Sequence, residues 1–224
     1  MINNEQNPQL TTPRVIGCLS FFNADNLEIM RGFADNEFDL AIVDIPYGLG
    51  DKLTQGGTWA SKYKKGDADW DVLPTPEYFE QLFRISKNQI IWGGNYVQLP
   101  AARGFLIWDK VALMDTMADC EFAWTSFDKN AKMFRHVRNT SEKRIHITQK
   151  PVKLYEWIIA NYAKANDKIL DTHLGSGSIA IAVEKANRLD KMNLQFVGIE
   201  IDKEYFEKAL NRIEQYTRQG TLSF

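Results

Sequence analysis

Asp44-Ile45-Pro46-Tyr47 is the most chemically pointed stretch of the chain, with a carboxylate, a backbone carbonyl fixed by the proline after it, and an aromatic ring in immediate succession. It directly follows residues 38–44 (FDLAIVD), an apolar run that reads as a strand buried on both faces. An acid at the C-terminal tip of such a strand stands where open α/β sheets bind ligands. The chemistry it suits is activation of an aromatic amino group. That nitrogen is a poor nucleophile because its lone pair is delocalised into the ring. Two acceptors taking its two N–H hydrogens draw the lone pair out of conjugation. Asp44 supplies one acceptor and the Ile45 carbonyl the other. Pro46 stiffens the turn, and Tyr47 offers a face on which a base taken out of a helix can stack.

A second constellation lies toward the C-terminus. Ile169-Leu170-Asp171-Thr172-His173-Leu174-Gly175-Ser176-Gly177-Ser178 runs from strand through tight turn to helix. Its glycines let the backbone approach a ligand closely, and the helix that follows presents free N–H groups. Phe196-Val197-Gly198-Ile199-Glu200 then sets an acid at the tip of the next strand, with Ile201 beside it. Strand, glycine loop, helix, strand and terminal acid form a nucleoside-binding unit in which the acid takes both ribose hydroxyls. The pattern is G-S-G rather than G-x-G-x-x-G, which speaks against a dinucleotide. Between the two constellations, His146-Ile147-Thr148-Gln149-Lys150-Pro151 reads by itself as a helix start, with Thr148 as cap and Pro151 in the first turn.

Together these segments resemble the β group of DNA amino-methyltransferases, which act on adenine N6 or cytosine N4, and the resemblance covers nearly the whole chain. Asp44–Tyr47 resembles the family's D-P-P-Y turn, with Ile45 in place of the first proline. Asn23-Ala24-Asp25 is similar to the family's Gly-Asp segment, whose acid contacts the adenine ring of the cofactor. Residues 146–151 resemble H-P-T-Q-K-P, which implies that His146, Thr148, Gln149 and Lys150 line the cofactor's methionine side. Asp171–Gly177 resembles D-P-F-x-G-S-G, with Thr172, His173 and Leu174 as departures. The catalytic turn precedes the cofactor loop, as in that group. The implied fold is an α/β, Rossmann-like methyltransferase fold with permuted motif order, and the implied cofactor is S-adenosylmethionine. The resemblance also implies that the Asp171 strand lies next to the Asp44 strand.

On this reading Asp44, Ile45, Pro46 and Tyr47 are the catalytic residues. Asp25, His146, Thr148, Gln149, Lys150, Asp171, His173, Leu174, Gly175, Ser176, Gly177, Glu200 and Ile201 hold the cofactor. The implied reaction is methylation of adenine N6 in double-stranded DNA, because family members with Asp first in the turn usually act on adenine. Cytosine N4 is the alternative, and a DNA-binding homologue without catalysis is a reading of another class. Residues 128–144 carry Lys129, Lys132, Arg135, Arg138, Lys143 and Arg144 against Asp128 and Glu142, a charge balance that suits DNA phosphates. The segment stands where the family carries target recognition. Residues 48–69, with Lys52, Lys62, Lys64, Lys65, Trp59 and Tyr63, are the second candidate.

The elements that must position these groups alternate between strand and helix signals, as in a sheet with helices on its faces. Strands are expected at 15–22, 38–44, 89–92, 105–108, 121–127, 168–171 and 195–200. Helices are expected at 27–33, 76–86, 151–163, 179–188 and 202–216, the last capped by Asp202. A single domain over 1–224 is expected, with a polar tail over about 1–14 and a small recognition insertion over about 128–145.

Composition excludes several classes. A net charge of −2 rules out a polycation, so contact with nucleic acid must be local. No apolar run is long enough to span a membrane, and the start lacks the apolar core of a signal peptide. Cys18 and Cys120 form no spaced pair, which fits free thiols in the cytoplasm. Trp92, Trp108 and Trp124 read as core. His136, His146 and His173 show no metal-ligand spacing, and no metal is expected. A homodimer and a cognate restriction endonuclease are partners the sequence leaves open.

Overall fold

Alternate side chains of β3 (Leu40–Asp44) divide between two cores, which makes this strand the spine of the molecule. Leu40 and Ile42 face one helical layer, and Ala41 and Val43 face the other. A strand with helices on both sides has no polar face to show, hence its unbroken apolar run. The computed structural model describes residues 12–50, 71–111, 118–137, 144–146 and 148–221.

The remaining elements, in chain order, are β1 (Arg14–Ile16), β2 (Leu19–Asn23), α1 (Asn26–Arg31), α2 (Pro76–Ile85), β4 (Gln89–Trp92), β5 (Phe105–Asp109), β6 (Cys120–Thr125) and β7 (Lys132–Arg135), then α3 (Val152–Tyr162), β8 (Lys168–Asp171), α4 (Ser178–Asp190), β9 (Gln195–Glu200) and α5 (Lys203–Thr221). Among the described residues the strands form one sheet in the order β1-β2-β9-β8-β3-β4-β6-β5-β7. β8 pairs in parallel with β3, as the resemblance implied. Helices α3, α4 and α5 pack on one face through Ile158, Ile179, Ala209 and Ile213. Helices α1 and α2 cover the other through Ile29, Met30, Tyr78 and Leu82.

Strand direction is what matters for function. β2, β9, β8, β3 and β4 are mutually parallel, so Asn23, Glu200, Asp171, Asp44 and Trp92 end along one edge. β6 runs antiparallel to β4 and β5, so its first residues, Cys120 and Glu121, reach the same edge. The chemistry-bearing residues converge there because five strands stop at the same level and a sixth begins there.

Four expectations need correction. The strand expected over 15–22 is a hairpin, β1 and β2, because Gly17 takes a left-handed φ of +59° and turns the chain back on itself. Arg14, placed in the tail, belongs to β1 and pairs with Glu207. The basic segment contains β7, which extends the sheet beside β5. Thr148 does not cap α3; Pro151 holds the N-cap position without a side-chain bond. The tail over 1–11 lies outside the described residues, as do Lys52, Trp59, Lys62, Tyr63, Lys64 and Lys65 of the second candidate loop.

Candidate active site

At the tip of β3 the Asp44 carboxylate is mostly buried, its side chain 17% exposed. Its Oδ1 faces the Nζ of Lys150 at 2.5 Å and accepts from the Tyr47 hydroxyl at 3.1 Å. Oδ2 takes no partner among the described residues. Lys150, only 2% exposed, also reaches Oε2 of Glu121 at 3.0 Å and the Tyr47 oxygen at 3.1 Å. Its three N–H donors thus have three acceptors. The other Glu121 oxygen pairs with the buried Lys110 at 2.7 Å. Two carboxylates and two ammonium groups therefore form one nearly dry cluster around the Tyr47 hydroxyl.

The electrostatics follow from this packing. Burial works to raise the pKa of Glu121, but Lys150 and Lys110 outweigh it and hold the group at about 2. For Asp44 burial is the largest influence and the Glu121 charge adds to it. Lys150 opposes both, and the net effect lies above the ordinary carboxylate value. Burial disfavours the Lys150 ammonium, but Asp44 and Glu121 together raise its pKa, so it stays charged.

The turn itself is built by three devices. The Ile45 N–H donates to the Trp92 carbonyl at 3.4 Å, extending the β3–β4 ladder by a bond that a proline could not make. That is the physical compensation for the missing first proline, and the Ile45 carbonyl takes no partner among the described residues. Gly93, at φ +79°, lies against the Tyr47 ring, too close to it for any Cβ. Tyr96 stacks on the ring at 4.8 Å and 20°. Finally, Asp71 accepts from four successive backbone N–H groups, those of Tyr47, Gly48, Leu49 and Gly50, at 2.6–3.1 Å. Gly48 and Gly50 are left-handed, so the amides converge on one anion.

The second constellation faces the first across a cavity of about 100 Å³, partly open to solvent. Asp44, Ile45, Pro46, Tyr47, His146, Thr148, Gln149, Lys150, His173, Leu174, Gly175, Ser176, Glu200 and Ile201 of the expected set line it. Glu200 accepts from the Gly175 N–H at 2.8 Å and the Asp202 N–H at 3.0 Å, one on each oxygen. Burial raises its pKa, and those N–H groups pull the other way. Ionised, it keeps lone pairs for two further donors. Burial lowers His146 and His173 to about 4, so both rings are neutral at neutral pH.

Three expected residues stand outside the cavity lining. Asp25 caps α1, accepting from the Glu28 N–H at 3.1 Å. Asp171 is buried behind the turn and braces the His173 N–H at 3.0 Å; burial raises it to about 8. Gly177 serves packing, since a Cβ there would meet Ile213 at 2.9 Å. The departures Thr172 and His173 belong to a hydrogen-bonded chain. The Tyr78 hydroxyl meets Thr172 Oγ1 at 2.6 Å, Thr172 meets His173 Nδ1 at 3.0 Å, and Asn26 meets His173 Nε2 at 3.1 Å.

The basic segment is divided by its own strand. β7 crosses the sheet, so Lys129 and Lys132 lie at the edge opposite Asp44. There they reach Asn161, near the end of α3, at 3.4 and 2.7 Å. Lys129 also lies over the Phe127 and Tyr162 rings. Arg135 ends at the Asp44 edge, bonded to Asp109 at 2.8 Å and 72% exposed. Arg144 lies two positions before His146, while Arg138 and Lys143 fall outside the described residues. Residues missed from sequence are Glu121, Lys110 and Asp71; each is an isolated charge whose partners are set by strand register and loop closure.

A family model described as DNA methylase matches residues 74–211. The chain is similar to Type II methyltransferase M.HpaI of Haemophilus parainfluenzae, 36% identical over 231 residues, covering 84% of this chain and 72% of that one. It is 28% identical over 141 residues to Type II methyltransferase M2.DpnII of Streptococcus pneumoniae, covering 63% of this chain and 47% of that relative. Among solved structures, the M1.HpyAVI–SAM complex matches with a TM-score of 0.54 at 22% identity, covering 87% of this chain and 99% of the other. At that identity the match speaks for the fold.

Proposed function

This chain belongs to the N6/N4 DNA methylase family, and from that premise we propose that it transfers a methyl group from S-adenosylmethionine to N6 of adenine in double-stranded DNA. One observation carries the reading: Asp44 and Ile45, whose Oδ2 and carbonyl oxygen have no partner among the described residues, line the same cavity as Glu200, Gly175 and Ser176. The residues fit the cofactor. Glu200 has lone pairs left for two ribose hydroxyls, and the glycine turn leaves backbone exposed beside it. S-adenosylmethionine supplies a methyl group on a positively charged sulfur, already activated.

What the protein adds is position and electrostatics. Asp44 and the Ile45 carbonyl take the two amino hydrogens and turn the nitrogen lone pair outward. Tyr96 and Gly93 hold the Tyr47 ring in place, and the base is brought against that ring. Bond formation from the nitrogen to the methyl carbon would be matched by cleavage of the methyl–sulfur bond, with a neutral thioether leaving; the nitrogen would shed one proton, and Asp44, with its raised pKa, is placed to receive it. The test is label transfer from methyl-labelled cofactor to DNA, followed by nucleoside identification. N6-methyladenine is expected. N4-methylcytosine alone would overturn the choice of base, and absence of transfer would favour a regulatory homologue.

Glu200→Ala is expected to weaken cofactor binding at least about tenfold, since each charge-assisted hydrogen bond contributes roughly 1.5–3 kcal/mol. Unchanged affinity by calorimetry would remove Glu200 from the cofactor site. For DNA, Arg135→Ala is expected to flatten the slope of log K against log salt by about one unit. The Lys129→Ala, Lys132→Ala pair, at the far edge, should leave the slope unchanged. A flatter slope for the lysine pair would move the DNA to the opposite edge.

A further inference from the structure

We propose that Glu121, seated on Lys110, is a positioning residue for methyl transfer: it holds the Lys150 ammonium against one oxygen of Asp44 and so keeps the other oxygen for the target amino group. The inference rests on the reading above, in which Asp44 accepts from that group.

Lys150 has three donors, and three oxygens lie within reach of its Nζ: Asp44 Oδ1, Glu121 Oε2 and the Tyr47 hydroxyl. Without the Glu121 charge, the ammonium would have a donor to spare and a single carboxylate to neutralise it. It would slide to bridge both oxygens of Asp44, in competition with the substrate. Lys110 makes the arrangement stable. By pairing with Oε1 at 2.7 Å, it lets Glu121 stay ionised without taking the whole charge of Lys150. The Tyr47 hydroxyl has one proton and two carboxylates within reach, Asp44 at 3.1 Å and Glu121 at 3.2 Å. Glu121 thus also anchors the ring on which the base stacks. The nearby Trp92 ring, 5.5 Å from the Lys150 Nζ, closes the remaining side with a π-face rather than a competing acceptor.

The charged and titratable groups around Asp44 come from every neighbouring element. Lys150 precedes α3, Tyr155 lies on α3, Glu121 on β6, Asp171 on β8, and Tyr47 on the same turn. Lys110 and His146 act one step removed, through Glu121 and Lys150. Removing the Glu121 charge deletes a negative neighbour of Asp44 while leaving Lys150 in place, so Asp44 should ionise at lower pH. A purely structural glutamate would not produce that shift.

The test compares wild type with Glu121→Gln and Glu121→Asp. kcat is measured against pH at saturating cofactor and DNA, with cofactor affinity by calorimetry and a melting curve for each protein. Glu121→Gln is expected to lower plateau kcat about 10- to 100-fold, the scale of a misplaced reacting group. Its acid limb should move to lower pH, with cofactor affinity within about twofold. Glu121→Asp should recover part of the rate. A crystal structure of Glu121→Gln should show Lys150 Nζ bridging both Asp44 oxygens. Wild-type rate and pH limb in Glu121→Gln, or a lower melting point with unchanged kcat, would overturn the inference alone. Wild type that methylates no DNA would overturn the functional reading and the inference with it.

Discussion

Asp44→Ala is expected to lower methyl transfer roughly 10²- to 10³-fold, the scale on which loss of one preorganised electrostatic partner acts, with cofactor affinity nearly intact. Asp44→Asn should be almost as damaging, and the reason lies in its neighbour. The Lys150 ammonium must face an acceptor, so the amide oxygen of the asparagine would turn toward it. The NH₂ would then point at the place where the target amino group presents its own hydrogens. Two donors would meet, and the lone pair would stay in the ring. Single-turnover transfer at saturating DNA, alongside calorimetric cofactor binding, measures this. If Asp44→Asn keeps more than a tenth of the wild-type rate, the acceptor role assigned to Asp44 is wrong.

Lys150→Met should cost about 3–5 kcal/mol of stability at neutral pH, the price of leaving buried charge uncompensated. Glu121 would keep Lys110, but Asp44 would keep only the Tyr47 hydroxyl. The pH dependence has a definite sign. In the wild type Glu121 is held at about 2, below its ordinary 4.5. It therefore contributes stability that is full above pH 4.5 and lost as pH falls toward 2. In the variant an unpaired Asp44 has a folded-state pKa above its unfolded value. Ionisation then works against folding above about pH 4, and protonation relieves the deficit below it. The two proteins should converge in stability on acidification. Urea unfolding at pH 7 and pH 4 tests this; a deficit under about 1 kcal/mol at pH 7, or one that does not shrink at pH 4, would show that Lys150 does not hold the cluster together.

Much of this could be read from the chain alone. Residues 168–171 and 195–200 are strands with the bounds expected, because short apolar runs between polar turns leave little choice. The turn after β3 and the glycine turn after β8 were legible because each concentrates unusual residue types locally. Glu121 and Lys110 were not, since both lie at ordinary strand ends and gain meaning only when β6 lines up beside β4 and β5. β7 was hidden in a basic stretch because an edge strand with one open side tolerates Lys132, Met133 and Arg135 equally well. The same strand explains why Lys129, Lys132 and Arg135, close in sequence, do not make one patch: crossing the sheet carries the chain from one edge to the other. Thr172 and His173 read as departures from a family pattern, and only Tyr78 and Asn26, from two other helices, show what satisfies them.

The Asp71 carboxylate has a consequence for how the protein can change. By gripping residues 47–50 it brings the two ends of residues 51–70 to the same spot, so the chain departs and returns through one gate fixed beside the catalytic turn. Lengthening such a closed excursion costs only about 0.6 kcal/mol per doubling. A change in the number of residues between Gly50 and Asp71 is therefore expected to leave the four-amide grip, and the catalytic turn that it holds, in register.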